Sequence, residues 1–377
     1  GACPLCRLNV GFNGVNGNAE KSTSPQTLIT VSASGATHMN QAGISSFGNP
    51  LLRWEKTYTT NVGLDFAFFK NILTGKIEYY NRLSKDIVGD VSTSSFLGTQ
   101  TARFNNAEIL NRGIEIELGA HYTVPGIELG INSTATFSYN KNKIQKLYFP
   151  NIYCFELAEG RFVEGAPLGS IYAYDYAGLD ETGYPSVYGK DGALVPFKDL
   201  NLHNNQTGLD VMRLMGSSIS PYTFGWSTEL TWKGFALNVL FTGKFGGVFR
   251  CPPPTIPSVG SSKVTLSAQL ADMMESDGSV TPCLPKAGDN NNYKWNRYLE
   301  NLSCYVESSD YIRLKELSLS YSLPASVVSK VNLSGIKFFV QARDLGLIYC
   351  ANKYGYDPEW LPGRNKPAGS VTFGANV

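Results

Sequence analysis

The sequence predicts an all-β protein, more specifically part of the wall of a transmembrane antiparallel β-barrel. Three observations lead there. Several stretches alternate apolar and polar residues with a period of two, as a strand does when one face meets an apolar medium and the other meets water. The connections between those stretches alternate short and long, as in bacterial barrels with tight periplasmic turns and long outer loops. Composition agrees: 17% of residues are charged, 12% are aromatic and 38 of 377 are Gly, where soluble domains carry about 25% charge. No segment has the roughly 18 unbroken apolar residues of a membrane helix, so any crossing must use strands. The 32 basic and 31 acidic residues nearly cancel, which argues against a general attraction to nucleic acid.

Taken in order, residues 3–12 read as a short strand and 13–51 as a loop rich in Ser, Thr, Gly and Asn. From Leu52 to Asp90 the chain reads as a long hairpin with a break at 70–75. Tyr58, Val62, Leu64, Phe66 and Phe68 share one face, and Thr59, Asn61, Gly63, Asp65 and Ala67 share the other. Residues 91–107 are polar. Arg112–Val124 then sets Ile114, Ile116, Leu118, Ala120, Tyr122 and Val124 against Gly113, Glu115, Glu117, Gly119, His121 and Thr123. Pro125-Gly126 turns, and Ile127–Asn140 returns with Leu129, Ile131, Ala135, Phe137 and Tyr139 on one side.

A long connection, 143–219, precedes the next alternating pair, Tyr222–Trp232 and Phe235–Phe249, joined at Lys233-Gly234. Residues 250–308 form another long loop. Tyr311–Leu323 and Ile336–Asp344 bracket a moderate connection, 324–335. A loop at 345–367 leads to a last strand from Gly369 to Val377. That makes ten strands, the last one descending to the short-turn, periplasmic side.

Candidate chemistry is sparse. Seven cysteines leave at least one without an intrachain partner. Cys3 and Cys6 would point to opposite faces of a strand, so they read as structural or incidental rather than as redox or zinc ligands. Cys251, Cys283 and Cys304 share one loop, where a 251–283 or 283–304 bridge is open to an exported protein. The histidines, His38, His121 and His203, are scattered. His121, Glu115 and Glu117 share a polar strand face and read as hydrated wall. No nucleophile–base pairing or nucleotide loop appears, so catalysis is rejected and no cofactor is expected. Tyr293, Trp295, Tyr298, Tyr305 and Trp360 fall in outer loops. Aromatics there stack on sugars or insert into a partner, or simply pack the loops on one another. The opening Gly-Ala-Cys-Pro-Leu-Cys-Arg has no signal-peptide pattern, the expectation for an unexported, mature or partial chain.

Six passages carry a resemblance. They are Asn49–Lys56 with Thr60–Asp65, Tyr79-Tyr80-Asn81-Arg82, Asn111–Glu115, Gly165–Tyr172, Ser309–Lys315 with Tyr321–Pro324, and Tyr354–Glu359. In this order they resemble SusC/RagA-like TonB-dependent outer-membrane transporters. The resemblance implies that residues 1–377 are the C-terminal portion of a plugged barrel of about 22 strands, with the plug domain and N-terminal strands absent. It also implies import of oligosaccharides or peptides, TonB coupling, a SusD-like surface lipoprotein as partner, and an outer-membrane location in contact with lipid. Two departures stand out. Asp199-Leu200-Asn201-Leu202-His203-Asn204 replaces the family's calcium-type run with a His and no Gly, which argues against a hard-cation site. Val371–Val377 also lacks the terminal aromatic on which members of the family end.

Tyr293, Trp295, Tyr298 and Trp360 are therefore the candidate substrate or partner contacts, with no metal site expected. Two other classes stand beside this reading. One is a passive porin or adhesin-like barrel built from these ten strands alone, and the other is a soluble glycan-binding β-protein.

Overall fold

An apolar row and a polar row run side by side across the molecule, one residue apart. The apolar row is Leu8–Leu64–Ile77–Ile116–Phe137–Phe224, and the polar row is Arg7–Asp65–Lys76–Glu117–Thr136–Gly225, each residue paired with the next across neighbouring strands. Since a slip of one residue would reverse every face, this coincidence sets the register of the six strands it crosses.

The structure, a computed structural model, describes residues 5–17, 26–94, 96, 101–179, 185–196, 200, 207–253, 299–329, 333–361 and 365–376. Its strands are β1 (Leu5–Gly17), β2 (Leu28–Ala33), β3 (Asn40–Ser46), β4 (Glu55–Phe68), β5 (Leu73–Ser92), β6 (Thr101–Val124), β7 (Leu129–Leu147), β8 (Ser170–Leu179) and β9 (Pro185–Tyr188). They continue as β10 (Leu194–Pro196), β11 (Met212–Ser217), β12 (Tyr222–Trp232), β13 (Phe235–Phe245), β14 (Val248–Arg250), β15 (Val306–Ser308), β16 (Tyr311–Ser322), β17 (Lys337–Cys350) and β18 (Ser370–Asn376). Ten of them form one sheet in the order β1-β4-β5-β6-β7-β12-β13-β16-β17-β18. Every neighbour in it is antiparallel. The ten predicted wall strands are therefore present, in order, and no described helix is long and apolar enough to cross a membrane.

The apolar face carries aromatic rows near both ends. Trp232, Phe235, Tyr321 and Phe338 pair in sequence at the short-turn end, and Tyr139, Tyr222 and Phe245 at the other. Tyr222 and Trp232 are ten residues apart on β12. At about 3.3 Å per residue and a tilt near 40°, that separation is roughly 25 Å along the membrane normal, the height of a barrel's apolar band. The apolar face of the first hairpin, Tyr58/Val62/Leu64/Phe66/Phe68, lies on this side.

Close approaches between strands use small residues. A Cβ on Gly75 would sit 2.2 Å from the Phe66 ring, and one on Gly113 would sit 2.4 Å from Tyr80. In both cases the aromatic is the directly opposite residue, covering the gap that the glycine leaves. At the tightest turn, Lys233 (φ 46°) and Gly234 (φ 87°) are both left-handed, as a two-residue type I′ hairpin requires.

Several boundaries differ from those read in the sequence. β5, β6 and β7 run to 20, 24 and 19 residues, well past the about 9–11 that cross a bilayer. Beyond the bilayer both faces are wet, so alternation fades, which is why residues 91–107 read as a loop. β1 likewise continues to Gly17, and β17 continues past Asp344 to Cys350. The first loop contains the hairpin β2–β3, and 143–219 contains the four-stranded sheet β10-β9-β8-β11. Among the described residues β1 pairs only with β4 and β18 only with β17. The ten strands form an open sheet, which overturns a barrel closed by these strands alone.

Candidate functional site

The polar face and the outer mouth above it hold the chemistry. On β4–β7 the face carries Asp65, Lys76, Glu78, Glu115 and Glu117 beside Thr136 and Ser138. Lys76 Nζ lies 2.9 Å from Glu78, and Asn9 Nδ2 donates to Asp65 at 2.8 Å. Lys76, Glu78, Glu115, Glu117, Thr136, Ser138 and Thr223 line a groove of about 200 Å³. Glu78, Tyr80, Arg82 and Glu115 line another of about 190 Å³. His121 occupies the same face, opposite Asn132. Such a surface offers charged and hydroxyl partners to a hydrated solute.

At the outer end this face becomes apolar. Ala107, Ile109, Ile144 and Leu147 are buried there against Phe162 and Leu168. The long loops thus fold back over the mouth as a cap. A short helix, α1 (Cys154–Ala158), and another, α2 (Gly208–Val211), join β8–β11. Cys154, Leu157, Tyr174, Val187, Leu299, Leu302 and Tyr305 form the cap's core. Two long loops meet there: Tyr174 N–H donates to Asn301 O at 2.8 Å, and Arg250 Nη2 donates to Tyr172 O, 78 residues away in sequence, at 2.5 Å.

The cap is pinned by buried polar side chains. Asn106, fully buried, accepts from Phe149 N–H at 2.7 Å and donates to Phe149 O at 3.1 Å. Glu156, 2% exposed, accepts from Ile152 and Tyr153 N–H at 2.8 and 3.0 Å, and from the Ser92 hydroxyl of β5. Arg161 Nη1 reaches Ser92 at 2.8 Å and Glu156 at 3.6 Å.

A second tie holds the last outer loop to the wall. Arg313 of β16, 3% exposed, lies 2.6 Å from Asp357 and 3.3 Å from Glu359. Glu359 also accepts from the Tyr311 hydroxyl at 2.7 Å and from Lys244 of β13 at 2.9 Å, and Lys366 lies 3.2 Å from Asp357. Burial pushes the Asp357 carboxyl up, but hydrogen bonds from Arg313 and Lys366 outweigh it, leaving the pKa below its usual value. Glu359 is also lowered: burial raises it, and Tyr311 and Lys244 more than compensate. Sequence reasoning missed this network. Its signal lay in two of the resemblance passages, where Tyr311/Arg313 and Asp357/Glu359 are charged or polar residues in otherwise regular runs.

Of the predicted contact residues, Trp360 is half-buried beside this tie, its N–H donating to Asp357 O at 3.0 Å. Tyr293, Trp295 and Tyr298 lie outside the described residues, as do Cys3, Cys283 and the Asp199/Asn201–Asn204 run. Tyr305 is 3% exposed within the cap core, so it packs loops together instead of presenting a ring to a ligand. Cys251 is a buried free thiol, and burial pushes its pKa up to about 12; both bridges expected for this loop involve Cys283, which lies outside the described residues. His38 sits exposed in the β2–β3 hairpin turn. Among the described residues, no cluster of three or more His, Cys, Asp or Glu is placed to hold a metal ion.

Comparison with known proteins matches this geometry. The family described as TonB dependent receptor-like, beta-barrel matches residues 13–333. The chain is 26% identical over 339 residues to TonB-dependent receptor P3 of Formosa agariphila, covering 86% of this chain and 32% of that protein. It is 27% identical over 165 residues to TonB-dependent receptor SusC of Bacteroides thetaiotaomicron, covering 42% and 16%. Among solved structures, the RagAB peptide importer in its closed-closed state has a TM-score of 0.75 at 25% identity, covering 98% of this chain and 40% of that one. The RagAB peptide transporter has a TM-score of 0.72 at 26% identity, covering 94% and 38%. The chain thus spans about a third of the length of the curated relatives it matches over most of its own length. With its ten-stranded open sheet, period-two faces and outer cap, it belongs to the TonB-dependent receptor β-barrel family.

Proposed function

We propose that this chain supplies part of the wall, and much of the outer mouth, of an active outer-membrane importer. The imported solutes are oligosaccharides or peptides, captured beneath a SusD-like surface lipoprotein and admitted when TonB remodels a plug held elsewhere in the whole protein. The observation that carries the reading is the division of one continuous sheet into a lipid-type face and a charged, grooved face capped at its outer end. The first seals the wall in hydrocarbon and the second lines a hydrated route. Coupling to TonB follows from energetics: the outer membrane sustains no ion gradient, so accumulation requires work delivered from the inner membrane. Tyr293, Trp295, Tyr298 and Trp360 serve as loop contacts to the solute or the lipoprotein.

Uptake of fluorescent oligosaccharides and peptides by cells bearing the full-length transporter tests this. Loss of uptake on deletion of tonB is the expected result. Uptake that continues unchanged without TonB would instead favour a passive barrel.

A further inference from the structure

One segment, residues 160–169, joins the cap to the outer end of the charged wall face. Its side chains divide between two cores. Phe162 and Leu168 pack on the wall cluster of Ala107, Ile109, Ile144 and Leu147, whereas Val163 and Ala166 belong to the cap core. Gly165 N–H donates to Ile144 O at 2.8 Å, and Ile144 N–H donates to Ala166 O at 2.9 Å. Glu164 accepts from Leu147 N–H at 3.0 Å, and Asn142 Oδ1 accepts from Leu168 N–H at 2.5 Å. Ile109 and Ile144 lie on the same face of β6 and β7 as Glu115, Glu117 and Thr136. The strap therefore stands between the outside and the charged grooves on that face.

Its backbone is built to change path. Gly160 (φ 73°), Gly165 (φ 86°) and Gly169 (φ 65°) are all left-handed. A Cβ on Gly165 would meet nothing within 4 Å, and the nearest atom to one on Gly160 would be 3.9 Å away, so glycine there serves conformation and not packing. A single wall hydroxyl fastens the root of the strap. Ser92, the last residue of β5, donates to Glu156 of α1 and accepts from Arg161 Nη1 at 2.8 Å. Arg161 is held in turn by Glu159 at 2.9 Å.

We propose that residues 160–169 form a gate in the outer mouth, latched by Ser92, which rocks away from β6 and β7 to open the charged wall face to solute. Release uncovers only a small apolar cluster, so it is a local opening that leaves both cores intact. A solute that fills the grooves favours the released position. The inference rests on the importer reading above.

The test uses the full-length transporter. Amides of 163–168 are expected to exchange hydrogen faster than those of 109–117 and 172–174, and faster again in Ser92→Ala. Exchange of all three segments at one rate, in wild type and variant alike, would overturn the gate. Phe162→p-benzoylphenylalanine then places a photoreactive ring against the wall. Illumination should abolish the uptake of fluorescent oligosaccharides or peptides that unilluminated cells still show. Unchanged uptake with the strap crosslinked to β6 or β7 would also overturn the proposal. If that variant fails to assemble, hydrogen exchange in Ser92→Ala decides alone. Wild-type uptake that ignores deletion of tonB would instead overturn the importer reading and leave the exchange result standing.

Discussion

The wall and the cap are stabilised in different ways. In the wall, large apolar side chains stand open on one face: Leu64 is 38% exposed, Trp226 43% and Leu319 48%. In the cap, Leu157, Tyr174 and Leu299 are completely buried by protein. The wall leaves half of its hydrophobic environment to the bilayer and relies on cross-strand pairs for register. The cap has its own core and behaves as a small soluble domain would. The charged tie at Arg313, Asp357 and Glu359 is a third kind of contact, fastening the last outer loop to a wall strand through buried charge.

Breaking that tie should have the largest effect. Arg313→Met removes the buried cation shared by Asp357 and Glu359, leaving Asp357 with Lys366 and the partly exposed Glu359 with Lys244 and Tyr311, at a cost of up to about 3–5 kcal/mol. The loop 351–361 should then gain hydrogen exchange while the β4–β7 wall stays protected. Equal protection in wild type and variant would show that the tie carries no load. Next comes Leu157→Ala, a cavity in the cap core, expected to cost about 2–5 kcal/mol. It should loosen the cap towards protease without changing heat-modifiable gel migration of the barrel. Simultaneous loss of both would mean that cap and wall form a single cooperative unit.

A paired substitution in the wall sharpens the contrast further. Leu64→Arg faces hydrocarbon and should impair assembly by about 2–4 kcal/mol near the midplane, whereas Thr59→Arg on the polar face should be mild. Equal penalties would contradict the facing. The smallest effect concerns pH. Asp357 and Glu359 have lowered folded-state pKa values, so their stabilisation is complete above the ordinary carboxylate range, near about 4, and is lost only as pH falls through the lower folded values. Hydrogen exchange of 351–361 should therefore be unaffected by titration of these groups between about pH 5 and 8, and should rise below that range.

The same contrast explains what could be read beforehand. The wall was legible because lipid on one side and water on the other impose a period of two, visible from Tyr58 to Phe68 and again from Tyr222 to Trp232. Strand ends were less legible because β5, β6 and β7 extend beyond the membrane, where that constraint lapses. The cap was not legible, since its core joins Tyr174 to Leu302 through tertiary packing that leaves no local periodicity. The Arg313–Asp357 tie was hidden for a related reason: its partners are 44 residues apart, and each half alone looks like ordinary rim polarity. Trp360 lies next to that tie, whereas Tyr305, grouped with it on residue type alone, is buried in the cap.

The central claim is that one face of this sheet meets lipid and the other meets water. Nitroxide scanning of residues 223–231 in the full-length protein, reconstituted in outer-membrane lipid, tests it most directly. The account predicts a period of two, with odd positions open to a water-soluble relaxant and even positions open to oxygen dissolved in the bilayer. Accessibility without that period, or with the opposite phase, would contradict it.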